Sequence, residues 1–445
     1  MHFTFDNLNY SGPIYFDPRN LTNCRDKNPS GISRFTPSPI VIGFMLHGEK
    51  AGHTFGLTHE HGQIHVIATG VAHAPWDWCG PDSIGQGFNN NNRITRMRKS
   101  LFDYLTKKQR KALRKGGAYL LIDQSHEGYQ TKWLWSWFHN NCKTYNINPK
   151  QIIYVTGNLD CTDQYNTWAD SYALEDRMLT IPYPHFEPVI SNILNENLEK
   201  YPTFEQHLEY KLANIDTIKT YSALQKRPRA HRSWFFLALS DANLLEHGIN
   251  SMNTFSIKNT EYEGRIMTED EYRSVIHQLP MLPPTVGKKG LKTFASDDCA
   301  HYLEKFNEET MLDTWLTVVS EASFGESDNE CFLSEKTFKP IACNHPFIIV
   351  GNQGSLHRLR ELGYKTFSPF IDESYDSLPT WQRMAAITAE LTRINNMSIN
   401  EKIEWYQGMQ EILDHNYELL KFKSHFESQS LYSNIIEKYT TSRNN

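Results

Sequence analysis

The chain has 445 residues, long enough for two domains, and 39% hydrophobic with 13% aromatic side chains is enough apolar material for two cores. A formal net charge of −6 and a pI near 6.3 argue against a duplex-DNA ligand, which favours a basic face. No run reaches the roughly 18 apolar residues that span a bilayer. The seven cysteines form no C-x-x-C pair and the first residues have no basic, apolar leader, so the expectation is a cytoplasmic protein with free thiols.

The first forty residues, rich in Pro, Asn and Asp, read as irregular. Apolar runs at 39–46 and 64–70 read as strands. Arg and Lys recur at helical spacing over 93–115, closed by Gly116-Gly117. This is either a solvated helix face or a site for an anionic acceptor or membrane surface. Strands follow at 118–123 and 151–157, with a helix at 130–145 between them. Short apolar strands alternating with helices predict a parallel, doubly wound sheet.

Residues 201–220 read as a polar helical connector, followed by a basic segment at 226–232 and an apolar helix at 233–246. The pattern then continues as a strand at 315–320, a helix at 333–344, a strand at 346–351 ending in Gly351, and a helix at 355–363. The tail 380–440 is helical. These shifts divide the chain into 1–205, 206–385 and a helical 386–445 that is expected to pack back across both.

Chemistry concentrates at 331–339. Ser334 is a good N-cap, and Glu335 and Lys336 fall in the first helical turn. Free backbone N–H groups and a partial positive charge make such a turn attractive to phosphate. A carboxylate there can grip a ribose diol, and an ammonium can neutralise a diphosphate. The plainer alternative is a solvated Glu-Lys pair on an ordinary helix. Arg229 and Arg232, where a helix opens, form a second cationic element suited to two-point contacts with diphosphate oxygens. Both elements must converge to hold one ligand, as successive helix starts do at one edge of a doubly wound sheet.

Residues 315–352 also resemble a known family. Glu321 in Val318-Val319-Ser320-Glu321, then Phe332-Leu333-Ser334-Glu335-Lys336, then an apolar strand ending in Gly351, is similar to the donor-binding motif of the family 10 fucosyltransferases and related GT-B glycosyltransferases. The resemblance implies an α/β GT-B fold, with two Rossmann-like domains facing a central cleft and a helical C-terminal tail. Residues 1–205 would be the acceptor side, and 206–385 would bind the nucleotide-sugar. The implied donor is a nucleoside-diphosphate sugar, a GDP-sugar being the family default, and the acceptor is a glycan or other hydroxyl-bearing molecule. No cofactor or metal is required, and inversion is the expected stereochemistry. Donor contacts carry over to Arg229, Arg232, Glu321, Ser334, Glu335, Lys336 and Lys339. Two departures stand out. Ser334 replaces a threonine, which preserves the cap, and Pro340 sits inside the helix, where it should kink it.

The base that such transfer needs is expected on the loop after the 118–123 strand, with Glu127 first and His126 and Asp123 as alternatives. Glu127 equally suits a helix cap. A different reading starts from His53, His59, His61, His65 and His73 with Glu60: imidazoles alternating along an extended segment can hold a metal, which would make this a metal-dependent enzyme. A third reading is a catalytically silent nucleotide- or sugar-binding protein. The acidic segment 372–376 reads as a loop over the donor or as a plain polar turn.

Overall fold

Alternating apolar strands and amphipathic helices bury themselves best as a parallel sheet covered on both faces, and this chain does so twice. The structure, a computed structural model, describes residues 2–7, 54–56, 64–70, 107–125, 128, 132–225, 229–252, 265–278, 306–325 and 330–423. The chain divides into two units, with the break between His185 and Phe186.

The first unit contains β1 (His2–Asn7), β2 (Thr54–Gly56), β3 (Ile64–Gly70), α1 (Lys107–Arg114), β4 (Ala118–Gln124), α2 (Lys132–Tyr145), β5 (Ile152–Thr156), α3 (Cys161–Ser171) and β6 (Leu179–Pro182). Its sheet runs β2-β1-β3-β4-β5-β6 with every pair parallel. All five residues of β5 are buried, as a strand covered on both faces requires. Its core packs Leu120, Ile122, Ile152 and Tyr154 of the sheet with Trp135 and Phe138 of α2 and Tyr165 of α3. Each fully buried aliphatic or aromatic side chain there contributes about 1.5–3 kcal/mol. The glycine pair ends α1 as expected: Gly116 adopts φ 69°, and Gly117 N donates to Ala112 O at 3.0 Å.

The second unit contains α4 (Phe186–Glu196), α5 (Phe204–Ala213), β7 (Lys219–Gln225), α6 (Ala230–Asp241), β8 (Gly248–Met252), α7 (Glu269–Gln278), α8 (Glu308–Leu312), β9 (Thr314–Ser320), α9 (Glu335–Ala342), β10 (Phe347–Val350), α10 (Ser355–Glu361), α11 (Thr380–Asn395), α12 (Ile399–Gly408) and a helix α13 over 410–423. Its sheet runs β10-β9-β7-β8, again all parallel. Read from the other edge, this repeats the order of the first unit, with the first strand between the second and third. The expected α/β class and helical C-terminal region are therefore what the structure has.

Five strands went unread in the sequence, among them the short β2 and β6. β1 lies in the stretch taken as irregular, β7 begins within the supposed connector, and β8 follows the helix whose end was placed too late. β7 is central, yet its sequence Lys-Thr-Tyr-Ser-Ala-Leu-Gln has no apolar run. Its polar side chains bond across the sheet instead: Ser222 Oγ lies 3.0 Å from Thr317 Oγ1, and Gln225 Nε2 donates to Ser320 Oγ at 2.8 Å. Gly248 is required beside it, because a Cβ there would sit 2.3 Å from the Tyr221 ring. The apolar run at 39–46 and residues 93–106 lie outside the described residues.

A basic cluster is buried between α5, β9 and the turn after α9. Lys211 is fully buried, donates to the carbonyls of Met311 and Leu312 at 3.1 and 3.0 Å, and faces the Trp315 and Tyr406 rings. His207 Nε2 donates to Cys343 O at 2.7 Å and its ring stacks on that of His345. Burial, then the Lys211 charge, pushes His207 down to about 3. Burial pushes His345 well below the usual range, and it pushes Lys211 down to about 7 against the pull of Asp313. In the unfolded chain these groups return to 6.5 and 10.5, so the unfolded state binds more protons and stability rises with pH across both windows. The midpoint of urea unfolding should climb from about pH 4 to 6.5, and His207→Gln should flatten that climb. An unaltered slope in the variant would remove His207 from this role.

Candidate functional site

The carboxyl ends of β7, β9 and β10 gather the residues that the sequence singled out. Gly351 follows β10 and is needed there, since a Cβ would meet Ile349 Cγ2 at 2.9 Å, Ser355 Oγ at 3.0 Å and Glu321 Cβ at 3.4 Å. That close approach lets Glu321, the residue after β9, turn its carboxylate toward the start of α9. Glu321 is 1% exposed. Its Oε1 accepts from Ser334 N at 2.9 Å and from Thr337 Oγ1 at 2.6 Å, and its Oε2 from Ala322 N at 3.3 Å. A buried carboxylate at a helix N-terminus meets orphan N–H groups and a favourable dipole, so it fixes where α9 begins.

Ser334 caps α9 through its own hydroxyl, which accepts from Lys336 N at 3.3 Å. The Lys336 ammonium lies 3.1 Å from that hydroxyl and 2.8 Å from Glu335 Oε1. Glu335 is 2% exposed and Lys336 34%, so the ammonium covers the carboxylate from the solvent side. Lys339, one turn on, is buried, and its amine lies 5.8 Å from the Phe306 ring centroid. Burial pushes it down to about 8, partly opposed by Glu335.

The second basic element meets the first. Arg232 is buried, and its Nη2 donates to Ser320 O at 3.1 Å and Glu321 O at 2.9 Å. It therefore holds the main chain of the very residue whose side chain holds α9. His231 Nε2 donates to Glu321 O at 3.2 Å and its ring stacks on Phe324. Burial, then the charges of Arg232 and Arg229, pushes this histidine down to about 3, so it stays neutral. Arg229 is exposed at the N-cap of α6.

Pro340 lies in the last turn of α9. The helix ends at Ala342 through a left-handed Asn344 at φ 48°, with Asn344 N donating to Ile341 O and His345 N to Pro340 O. The missing Pro340 N–H therefore costs one bond near the end of the helix. The acidic segment 372–376 is tied down: Asp376 accepts from Leu356 N and His357 N at 3.0 Å each, and Glu373 accepts from Phe367 N and Thr366 Oγ1. Sequence reasoning read Asp376 only as part of that acidic segment and missed Thr337, Gln225 and Arg383. The last is fully buried and donates to Gly325 O and Leu378 O. No local pattern marks these three, because each finds its partner through the fold.

Glu127 and His126 lie outside the described residues, as do His53, His59, His61 and His73. Asp123 is on β4 and His65 on β3. Among the described residues no group of three or more His, Cys, Asp or Glu is arranged to hold a metal ion, and no helix is long and apolar enough to cross a membrane.

No family model matches the chain, and no curated protein matches it in sequence. Among solved structures it overlays on α,α-trehalose 6-phosphate synthase from Burkholderia multivorans with a TM-score of 0.43 and 8% identity, covering 91% of this chain and 74% of that one. The N-terminal domain of trehalose-6-phosphate phosphatase from Candida albicans overlays at 0.43 and 8% identity, covering 86% and 92%. An α1,3-fucosyltransferase overlays at 0.33 and 10% identity, covering 100% and 90%. Overlays this loose leave the reading of the site to its own chemistry.

Glu321→Gln tests the central contact. It keeps the size but removes the charge and sets an amide NH₂ either against both Ser334 N and Thr337 Oγ1 or against Ala322 N, at a cost of about 1–3 kcal/mol. Thermal unfolding should show a lowered melting temperature, with the start of α9 losing amide-exchange protection first. Wild-type stability in this variant would mean that the carboxylate does not fix α9.

Proposed function

We propose that this chain is a glycosyltransferase that moves a sugar from a nucleoside-diphosphate sugar to an acceptor hydroxyl, with the donor held by the second unit. One observation supports the reading above all: Arg232, Glu321, Ser334 and Lys336, which come from three separate segments, form one hydrogen-bonded cluster at the carboxyl ends of β7 and β9. In the order β10-β9-β7-β8 the connections from β7 and β9 run in opposite directions. This makes the gap between those strand ends the switch point where doubly wound sheets bind nucleotides. The positive end of a helix, a half-exposed ammonium and a buried carboxylate are groups suited to a ribosyl diphosphate.

In this reading Lys336 leaves Glu335 for the diphosphate when the donor arrives, and Glu335 then accepts from the ribose diol. The partial positive charge at the start of α9 favours the diphosphate there. Arg229 and Lys339 add positive potential, and Arg232 keeps the strand end and the helix start in register. Stabilising the leaving diphosphate where its charge develops is the main catalytic contribution of such a site. For the base that takes the acceptor's proton, Glu127 and His126 are the candidates that the sequence offers. GDP-linked fucose is the first donor to try, and one-step inversion is the expected course.

A thermal-shift panel of UDP-, GDP-, CDP- and ADP-sugars tests the donor claim, because a ligand that binds only the folded state raises the melting temperature. One member should give a clear shift. Lys336→Ala should then weaken its binding about 10–100-fold, the loss of one charge-assisted contact, with the fold intact. A panel without any shift, or a variant with wild-type affinity, would end the donor-site reading.

A further inference from the structure

The basic run at 93–115 has no part in the transferase reading, and its described portion is α1 with the turn after it. At about 100° per residue, Lys107, Lys108, Lys111, Arg114 and Lys115 fall within one arc of about 120°. Gln109 and Leu113 lie on the opposite side and are buried, with Ala112 packed against the core. The helix is thus fastened by one face, and all five cations are exposed. A second element adds to the same surface. Arg114 Nε donates to Tyr145 O at 2.6 Å, and the Arg110 guanidinium lies 5.7 Å from the Tyr145 ring centroid, so α1 is held beside the last turn of α2. That turn carries Lys143, also exposed.

Charge is segregated here. The chain as a whole carries −6, yet residues 104–122 and 128–159 contain no Asp or Glu. Among the described residues, Lys150 and Arg177 of the same unit pair with Asp176 and Asp170, whereas none of Lys107, Lys108, Lys111, Arg114, Lys115 and Lys143 enters an ion pair. Lys107 with Lys111, and Lys111 with Lys115, are like charges four residues apart, which repel until an anion outside the chain offsets them. The surface is not at the substrate edge of the sheet. α1 runs into β4 through Gly116-Gly117, and α2 runs into β5 through the turn at Pro149–Gln151. With every strand parallel, Arg114, Lys115 and Lys143 therefore stand at the amino edge. Open α/β sheets bind small ligands at the other edge, so the occupant here is a partner of the outer face.

We propose that this face of the first unit docks on a membrane surface rich in anionic phospholipid. Five of the six exposed cations are lysines, compact and strongly hydrated point charges that suit a diffuse sheet of headgroups. Nucleic-acid contacts draw instead on arginine forks and on open aromatic rings for base stacking, and the aromatic ring of this surface, Tyr145, has the Arg110 guanidinium over it. Clusters of about four to eight Lys or Arg on a helix face are what an anionic leaflet attracts. The contact is electrostatic and peripheral, because no exposed large apolar side chain among the described residues belongs to α1 or α2. It holds the first unit by its amino edge and keeps the carboxyl edge of that sheet turned from the bilayer. The inference stands apart from the transferase reading and does not need it.

The test is flotation of the full chain with phosphatidylcholine vesicles that contain or lack phosphatidylglycerol. The chain should rise only with the anionic vesicles, and less of it as salt is added, because screening shortens the reach of exposed charges. Lys111→Gln combined with Lys115→Gln should weaken binding about 25-fold, about fivefold for each cation removed, without lowering the melting temperature. Lys219→Gln combined with Lys365→Gln makes the same charge change on exposed lysines of the second unit and should leave binding at the wild-type value. Should the first double variant fail to fold, Lys143→Gln on the neighbouring helix decides, with an expected loss of about fivefold. No binding to anionic vesicles, equal binding to neutral ones, or an equal effect of the two double variants overturns the proposal. Tighter binding of a single-stranded RNA than of the anionic vesicles at the same salt, lost in the α1 variant, assigns the face to nucleic acid and overturns it too.

Discussion

The second unit is organised around one buried carboxylate. Glu321 sits where β9 ends, and three separate segments bear on it: Arg232 and His231 through its carbonyl, Ser334 and Thr337 through its side chain, and Gly351 through the space it leaves empty. A carboxylate taken out of water is costly unless hydrogen bonds replace its hydration, and here a helix start supplies them. The contact therefore sets the register between strand and helix. It also determines that Lys336 and Glu335 present themselves beside the switch point rather than elsewhere on the unit.

This arrangement separates holding from binding. The fully buried charged groups, Glu321 and Arg232, have main-chain and hydroxyl partners whose positions they fix. Lys336, the cation of the cluster with a third of its side chain in solvent, bonds its immediate neighbours Ser334 and Glu335 among the described residues. Lys336 can turn toward solvent while Glu335 stays buried, so exchange of the pair requires a new donor for that carboxylate. A frame of buried charges with one exchangeable pair at its mouth suits reversible capture of an anion, because ligand binding need not disturb the frame.

How much of this was legible in the sequence differs from residue to residue. The Ser334 cap, the glycine close of α1 and the strands β3, β4, β5, β9 and β10 follow from local propensity and apolar runs, and each lies within a residue or two of its expected place. β7 did not, because a central strand made of Lys, Thr, Tyr, Ser, Ala, Leu and Gln carries no burial pattern of its own. Its Ser222 and Gln225 are buried only because Thr317 and Ser320 on β9 are there to bond them. The kink expected at Pro340 also depended on context: the helix stops two residues later, so the lost bond falls in a turn that was ending anyway.

By itself the sequence determined the class of the fold and the chemistry available to it, since apolar periodicity and capping residues act over a few neighbouring positions. It could name Glu321, Ser334, Glu335, Lys336 and Arg232 as residues of the right type. Only the tertiary structure decided which groups are spent inside the protein and which keep part of their side chain in solvent. Pairings such as Arg232 with the Glu321 carbonyl, or Ser125 with His185, join positions 89 and 60 residues apart. Contacts at that separation arise from the order and direction of strands in the sheet, and no window of neighbouring residues encodes them.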